Sequence, residues 1–418
     1  MPIPSRDPHR RDQRSYRNAF RSADYRRYFP AGVFSTLGSW TLRFLLGWSA
    51  WELTASATWV GAVAGLMLAP ALVLSPVFGI VADRVNPRNG LLITVILQGA
   101  VAAAAATAML LDLYALPALL LFATALGVAT SAHTPLRLAL VPALVPRESL
   151  PSAIGFSAIT FNTSRILGPA LGAWLLSVAH AEAAFIAAAL LMFCALPFLM
   201  IISGAPRGPE SAAHDRFLVQ LADGWHYTRR HAPIRLVFGF TLVNALLGRT
   251  VIELLPALSG QLLSGGPTTL ATLTAGAGLG SILGGLLVSR QGSGEERLLR
   301  LLGGALATGA ILVAGLGYAS SLQAVVVVIA LVSLITTVAG TTSQALAQLL
   351  VDDAYRGRVL SLWTMLAMGA PALGALAMGW LADRYSFPPA LLCFAVLSML
   401  MLVWLYSRRR KLRADSAG

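Results

Sequence analysis

Charge is what this 418-residue chain has least of, because Asp, Glu, Lys and Arg together make up only 12% of it. Soluble domains carry about 25% charged residues. Apolar residues reach 56% before glycine is counted, and a soluble core cannot hide that much apolar surface. We therefore expect a lipid bilayer to be the solvent for most of the chain.

The sequence has few cysteines and lacks the usual motifs of enzymes and of nucleotide or metal binding. The two cysteines, Cys194 and Cys393, lie in separate apolar stretches and predict small hydrophobes, not a disulfide or a metal pair. No GxxxxGK[ST] loop is present, which argues against direct use of ATP. The glycine-rich GAGLGSILGG (276–285) lies inside an apolar run, not after a soluble strand. Since the six histidines are scattered, the sequence predicts no enzyme, no cofactor and no metal.

Most of the chain consists of long apolar runs. A transmembrane helix needs about 20 apolar residues, and backbone in hydrocarbon must satisfy its own hydrogen bonds, which favours helices. We predict an all-α membrane protein with twelve transmembrane helices at 31–53, 60–82, 90–111, 115–136, 153–178, 182–203, 236–258, 268–289, 299–318, 323–346, 359–381 and 387–406.

Basic residues set the orientation of these spans. If twelve helices alternate, 27 of the 31 basic residues fall on one side and only Arg384 falls in a loop on the other. This bias predicts that both termini are cytoplasmic. It also explains the net charge of +13 as contact with anionic headgroups, so nucleic acid is not an expected partner.

The spans divide into two groups of six around one polar segment. We expect a basic arm with an interfacial helix (1–30), a first bundle (31–203), a cytoplasmic central loop (204–235), a second bundle (236–406) and a basic tail (407–418). Within the loop, 217–230 predicts an amphipathic helix. PALGA recurs at 169–173 and 371–375, and Arg43 and Arg249 are 206 residues apart, both as a 6+6 pseudo-repeat requires.

Several motifs resemble the major facilitator superfamily. GIVADRVNPR (79–88) is similar to its loop signature G-x-x-x-D-R-x-G-x-R-R, although Asn86 and Asn89 replace the usual glycine and second basic residue. AFRSADYRRYF (19–29), ELTASATWVG (52–61), the stretch 139–175 and DDAYRGRVLSLWTM (352–365) resemble the branch of macrolide, drug and siderophore exporters. The resemblance implies a secondary transporter that works by alternating access.

The loop signature implies a conformational latch between the two bundles. Asp83 can bind the positive N-terminal end of the eleventh span, and Arg84, Arg88, Arg356 or Arg358 can complete the cluster. Gly79 allows a neighbouring helix to pack closely. A solvated turn whose charges only set topology is the alternative. GWLADR (379–384) looks like a second copy, but it closes the eleventh span on the opposite face, and we interpret Asp383 and Arg384 as an external helix end.

Small residues predict close helix packing. Gly168, Pro169 and Gly172 resemble the Gly-Pro motif that in the superfamily accompanies export. Gly276, Gly280 and Gly284 form a smooth stripe on the eighth span. We expect this stripe to pack closely against the Gly-Pro surface of the fifth span. Ordinary small-residue packing is the alternative.

Charges inside apolar spans point to the working site, because each costs several kcal/mol unless paired or hydrated. Arg43, Arg165, Arg249 and Glu253 are the main substrate or coupling candidates. Glu253 is either a proton switch or half of a permanent salt bridge. The excess of buried arginine suggests an anionic substrate, unless the guanidiniums bind backbone carbonyls or polar side chains. Lesser candidates are His133, Asn162, Asn244 and Gln344.

Together these features predict a monomeric exporter of a small organic molecule, driven by proton antiport, in a bacterial inner membrane. Uptake or symport on the same scaffold is the nearest alternative, and a non-transporting sensor or assembly factor is a third. The identity of the substrate stays open.

Overall fold

The fold is helical throughout the described part of the chain. The computed structural model describes residues 18–202, 217–289, 294–319, 321–352 and 355–417, and within these the side chains at 72, 73, 75–77, 79–84, 217–221 and 410–417 are not described.

Six long helices form the first half. They are α1 (Ala23–Thr54), α2 (Ala57–Arg84), α3 (Pro87–Leu110), α4 (Leu116–Ala143), α5 (Leu150–Val178) and α6 (Ala181–Met200). The Ser22 side chain accepts a hydrogen bond from the Tyr25 N–H and caps the start of α1. Ala55 ends it in the left-handed region at φ 47°, a common way to terminate a helix.

A short helix and six longer segments form the rest. They are α7 (Phe217–Arg230), α8 (232–262), α9 (Pro267–Ser289), α10 (Glu295–Leu316), α11 (Leu322–Leu350), α12 (Arg356–Tyr385) and α13 (Phe387–Ala417). Helix α8 is interrupted, because π turns occupy Ala245–Arg249 and Leu258–Leu262 between its α-helical pieces.

The two halves repeat one pattern of neighbours. In the first half α1 packs on α5 and α6, α2 packs on α4, and α3 packs on α4 and α6. In the second half α8 contacts α12 and α13, α9 packs on α11, and α10 packs on α11 and α13. PALGA lies in α5 and α12, which occupy equivalent places. Contacts between halves run mainly through α2 with α12 and α5 with α9.

The outer surface suits a membrane. Nine helices in the described residues are long and apolar enough to cross one by length and composition. Large apolar side chains also point outward, such as Leu373 at 71%, Trp380 at 60% and Ile93 at 58% exposure. Extended apolar surface of this kind needs a partner other than water.

The start of the chain differs from expectation. Helix α1 already begins at Ala23, so 23–29 is its first two turns and not a separate interfacial helix. Tyr25 and Tyr28 are buried, and the Tyr25 hydroxyl donates to the Ala153 carbonyl of α5 at 3.2 Å. The aromatic residues of this segment pack against side chains of α3 to α6 in the first half, where buried rings gain contact area and ring–ring contacts. Residues 1–17 of the predicted arm lie outside the described part.

The prediction that two glycine surfaces mate is wrong. Gly168 packs against Trp40 and Thr41 of α1, and Gly172 packs against Phe44. The stripe on α9 instead faces α11, where Gly276 meets Val326, Gly280 meets Ala330 and Gly284 meets Leu334. Each set serves packing inside its own half, since α5 and α9 meet through other residues, with Gly278 against Ile166.

The predicted helix of the central loop is present as α7. The Tyr227 hydroxyl donates to the Asp352 carboxylate at 2.9 Å, and its ring stacks on Tyr355 at 4.4 Å. Arg358 of α12 pairs with Asp223 at 3.5 Å. These contacts attach α7 to the second half, at the end where α12 begins.

Candidate functional site

A cavity of about 790 Å³ lies between the two halves. Helices α1, α2, α4 and α5 form one wall, and α8, α9, α11 and α12 form the other. This volume is in the range of small-molecule sites. Seven of the eight predicted substrate or coupling residues line it, namely Arg43, His133, Arg165, Asn244, Arg249, Glu253 and Gln344. Asn162 is not among the lining residues, and its amide donates to the Ala158 carbonyl one turn back on α5 at 2.8 Å.

An ion pair joins the two halves across this cavity. The Arg43 guanidinium of α1 donates to the Glu253 carboxylate of α8 at 2.7 Å. Arg249, one turn before Glu253, approaches the other carboxylate oxygen at 3.9 Å. The Glu253 side chain is only 11% exposed. The sequence placed Arg249 and Glu253 on one helix face, but the closer partner comes from the other half.

The interruption of α8 helps to place these groups. The π turn Ala245–Arg249 widens the helix, and the Thr250 hydroxyl bonds the Ala245 carbonyl five residues back at 3.0 Å. Gly248 in this turn lies against Thr336 of α11 with no room for a side chain. Turns of this type occur often at functional sites. Here the turn leaves both Arg249 and Glu253 on the cavity wall.

Arg165 binds hydroxyl groups instead of a carboxylate. Its guanidinium donates to Ser281 of α9 at 3.1 Å and to Ser333 of α11 at 3.4 Å. Ser333 donates its own proton to the Ala277 carbonyl at 2.6 Å. Ser281 and Thr337 share a hydrogen bond at 2.7 Å. Arg165 therefore links α5 to the second half and is held in place without being neutralised by these partners.

His133 lies in a cluster of polar side chains within the first half. Its Nδ1 lies 3.0 Å from the Thr94 hydroxyl and 3.5 Å from the Gln98 amide nitrogen. Arg137, one turn further on α4, also lines the cavity. The cavity thus extends from the Arg43–Glu253 pair toward the end of the molecule where α1 begins and α4 ends.

The opposite end is closed by contacts between α12 and α2. The Asp383 carboxylate accepts hydrogen bonds from the backbone N–H groups of Ala57 at 2.7 Å and Thr58 at 2.9 Å. The hydroxyls of Ser56 and Thr58 add two more, at 2.6 and 2.5 Å. A carboxylate at this position meets the unsatisfied N–H groups and the positive end of α2.

Close backbone packing reinforces that closure. Gly379 leaves no room for a side chain against Ala57, and Gly61 leaves none against Ala375. The two helices therefore approach each other more closely than larger residues permit. Asp383 thus caps a helix of the other half at a point where both backbones touch.

Comparison with known proteins decides the family. The profile of a family described as "Transmembrane secretion effector" matches residues 15–417. The chain belongs to this family, within the major facilitator superfamily. The predicted membership is confirmed, and with it a multi-pass membrane transporter of a small molecule instead of an enzyme.

Individual relatives agree with this assignment. The chain is 26% identical to the Staphyloferrin A transporter of Staphylococcus aureus (strain NCTC 8325 / PS 47) over 401 residues, covering 94% of this chain and 98% of the relative. It is 26% identical to Macrolide efflux protein A of Streptococcus pyogenes over 341 residues, covering 80% and 83%. An inward open structure of the xylose transporter XylE from E. coli matches with a TM-score of 0.69 at 12% identity, over 92% of this chain and 96% of that one. The last likeness shows the fold alone.

The superfamily latch stays a prediction. The side chains of Gly79, Asp83 and Arg84 lie outside the described residues. Arg88 donates to the Leu199 carbonyl at 2.9 Å and to Met200, both at the end of α6. Arg358 bonds Asp223 of α7 and lies over Tyr355 at 5.4 Å. In this conformation Arg88 and Arg358 therefore hold partners within their own halves.

The sequence predicts only an external helix end at Asp383, whereas the structure shows that Asp383 also caps α2 of the other half. A signal was available, since Gly379-x-x-x-Asp383-Arg384 repeats Gly79-x-x-x-Asp83-Arg84. What the sequence lacked was the neighbour, because Ser56–Thr58 is 325 or more residues away in the chain. The serines that hold Arg165 were likewise unmarked among many small residues.

Proposed function

We propose that this protein exports a small organic molecule from the cytoplasm in exchange for protons, by alternating access of its two halves. In this proposal α1–α6 and α8–α13 are twelve membrane-spanning helices of a monomer. Both termini lie in the cytoplasm, and the bilayer is a bacterial inner membrane. The observation that carries the proposal is the Arg43–Glu253 pair, at 2.7 Å, across a cavity shared by the halves.

The distribution of basic residues indicates which end of the cavity faces the cytoplasm. Most basic residues lie in residues 1–28, the central loop and the tail, and basic segments stay on the cytoplasmic side. The first bundle begins directly after residues 1–28, so the end of the molecule where α1 begins is the cytoplasmic end. The end closed by Asp383 then faces outward. The conformation described here is therefore inward-facing, ready to take a molecule from the cytoplasm.

Proton coupling rests on competition at Glu253. A buried carboxylate that faces two guanidiniums keeps its charge while it is paired. If the halves separate at Arg43, the carboxylate loses its closer partner, and a proton becomes the alternative way to satisfy it. Pairing and protonation are thus linked to the relative position of α1 and α8.

Export is favoured over uptake by two observations. One relative is named an efflux protein, and the Gly-Pro motif in α5 resembles that of exporters. An uptake or symport carrier on the same scaffold is the rival. A non-transporting sensor or assembly factor does not account for a cavity with an ion pair across the interface of the halves.

A vesicle experiment tests the proposal. Purified protein is reconstituted into proteoliposomes, a pH gradient is imposed, and radiolabelled erythromycin, with a panel of labelled drugs, siderophores and metabolites, is screened for movement. We expect at least one compound to move against the proton flux, with the movement lost on adding a protonophore and in Glu253→Gln. Glu52→Gln is the matched control, because Glu52 is exposed and does not line the cavity. Movement with the proton flux indicates symport, and no gradient-dependent movement of any compound contradicts the proposal.

A further inference from the structure

The cavity carries an excess of positive charge. Among its described lining residues, Arg43, Arg137, Arg165 and Arg249 are basic and Glu253 is the one acid. Glu253 is engaged by Arg43 at 2.7 Å and approached by Arg249 at 3.9 Å. One carboxylate cannot neutralise four guanidiniums, so the cavity favours an incoming negative charge.

Arg165 is the residue best placed to receive that charge. The Ser333 hydroxyl proton is used on the Ala277 carbonyl, so its oxygen faces Arg165 as an acceptor. Ser281 is fixed on its other side through Thr337. These bonds orient the guanidinium in the cavity wall and supply no counter-charge. A planar fork of donors held in this way matches a carboxylate or a phosphate.

The rest of the wall fits an organic body attached to that charge. Trp40 and Phe161 meet edge to face at 5.5 Å, and Trp363 lies across the cavity on α12. Hydroxyls from both halves, including Thr36, Thr274 and Thr341, line the space between. An inorganic anion leaves most of a 790 Å³ cavity unfilled, whereas an organic acid can contact aromatic and hydroxyl groups as well.

We propose that the transported molecule is an organic anion whose acidic group binds Arg165, with Arg249 beside it. This inference rests on the proposed export function, since it names the class of molecule that the same cavity takes. It assigns Arg43 and Glu253 to coupling and Arg165 to recognition. Substrate charge and the coupling carboxylate then occupy neighbouring parts of one positive site.

The test uses acids and their neutral esters as probes on purified, detergent-solubilised full-length protein. Citrate, tricarballylate and a panel of aromatic di- and tricarboxylates are each compared with the matching ethyl ester, and thermal unfolding is followed at constant ionic strength. We expect at least one acid to raise the melting temperature by about 2 °C or more over its ester, as ligand binding to the folded state requires. Arg165→Gln should abolish this shift, and Arg165→Lys should retain part of it. Arg300→Gln, an exposed site on α10, should leave it unchanged.

Two results overturn the inference. One is that no acid stabilises the protein more than its ester. The other is that the stabilisation survives Arg165→Gln in protein that still elutes as a folded species. Failure here is distinct from failure of the export proposal. A protein that moves only cationic or neutral drugs, against the proton flux and with no dependence on Arg165, remains an exporter but not one for anions.

Discussion

The Asp383 carboxylate accepts a 2.7 Å hydrogen bond from the Ala57 backbone N–H, joining the last turn of α12 to the first turn of α2. The residues belong to different halves and lie 326 positions apart. With the neighbouring bonds from Ser56 and Thr58, this is a helix cap supplied across the interface. The contact therefore stabilises the conformation in which this end is closed.

Asp383→Asn should favour opening at this end. The amide keeps the shape but loses the charge and can accept fewer of the four hydrogen bonds. Because Asp383 is exposed, we expect a shift of about three- to tenfold toward the open state. The measurement is the labelling rate of Thr274→Cys, in the cavity, by an impermeant maleimide added outside cells, in a chain with Cys194 and Cys393 replaced by alanine.

The control for that shift is Asp112→Asn, another exposed acid at the same end of the fold. It should leave the labelling rate unchanged. Equal rates in Asp383→Asn and the unsubstituted chain contradict a gating role for the α12–α2 contact.

Asp83→Asn should act in the opposite direction. If Asp83 latches the other end, its loss should leave the fold intact, abolish transport and lower the outside labelling of Thr274→Cys. Glu148→Gln, an exposed acid in the loop after α4, serves as the control. Normal transport by Asp83→Asn at normal membrane levels rules out the latch, whatever the labelling shows.

Substitutions of Arg43 and Glu253 should have non-additive effects on thermal stability. Glu253→Gln leaves two guanidiniums without their carboxylate, and Arg43→Gln removes the closer partner, so each should lower the melting temperature by about 2–4 °C. The double variant should lose less than the sum, because no unpaired charge remains at that contact. Arg249→Gln, whose contact is 3.9 Å, should have a smaller effect. Additive losses in a thermal melt at fixed salt show that the pair is not coupled.

Gly280 and Gly285 provide a matched pair for helix packing. A side chain at Gly280 meets the Ala330 carbonyl of α11, whereas Gly285 has open space around it. Gly280→Ala should cost about 1–3 kcal/mol through forced separation of α9 and α11, and Gly285→Ala should be neutral or slightly stabilising. Thermal stability in detergent, with monodispersity on size-exclusion chromatography, separates them. Equal stability of the two variants contradicts the packing described here.

The apolar runs alone determined the class of fold. Scarce charge, runs of spanning length and one polar break predicted helices in two groups, because buried backbone without water must bond to itself. Arg43, Arg249 and Glu253 could be selected for the same reason, since an isolated charge in an apolar run needs a partner or water. The motif around Asp83 indicates the superfamily from the sequence alone.

Tertiary structure decided which groups meet. A smooth glycine surface can pack on any close helix, so the sequence did not show that Gly168 faces α1 while Gly280 faces α11. The sequence does not show which helix begins beside an acid at a helix end. The partner of Asp383, the first turn of α2, is therefore visible only in the structure. The composition determines that most of the chain lies in lipid, and the local pattern of apolar residues determines where the helices are. Contacts between residues hundreds of positions apart depend on how the two halves pack against each other, which the sequence does not show.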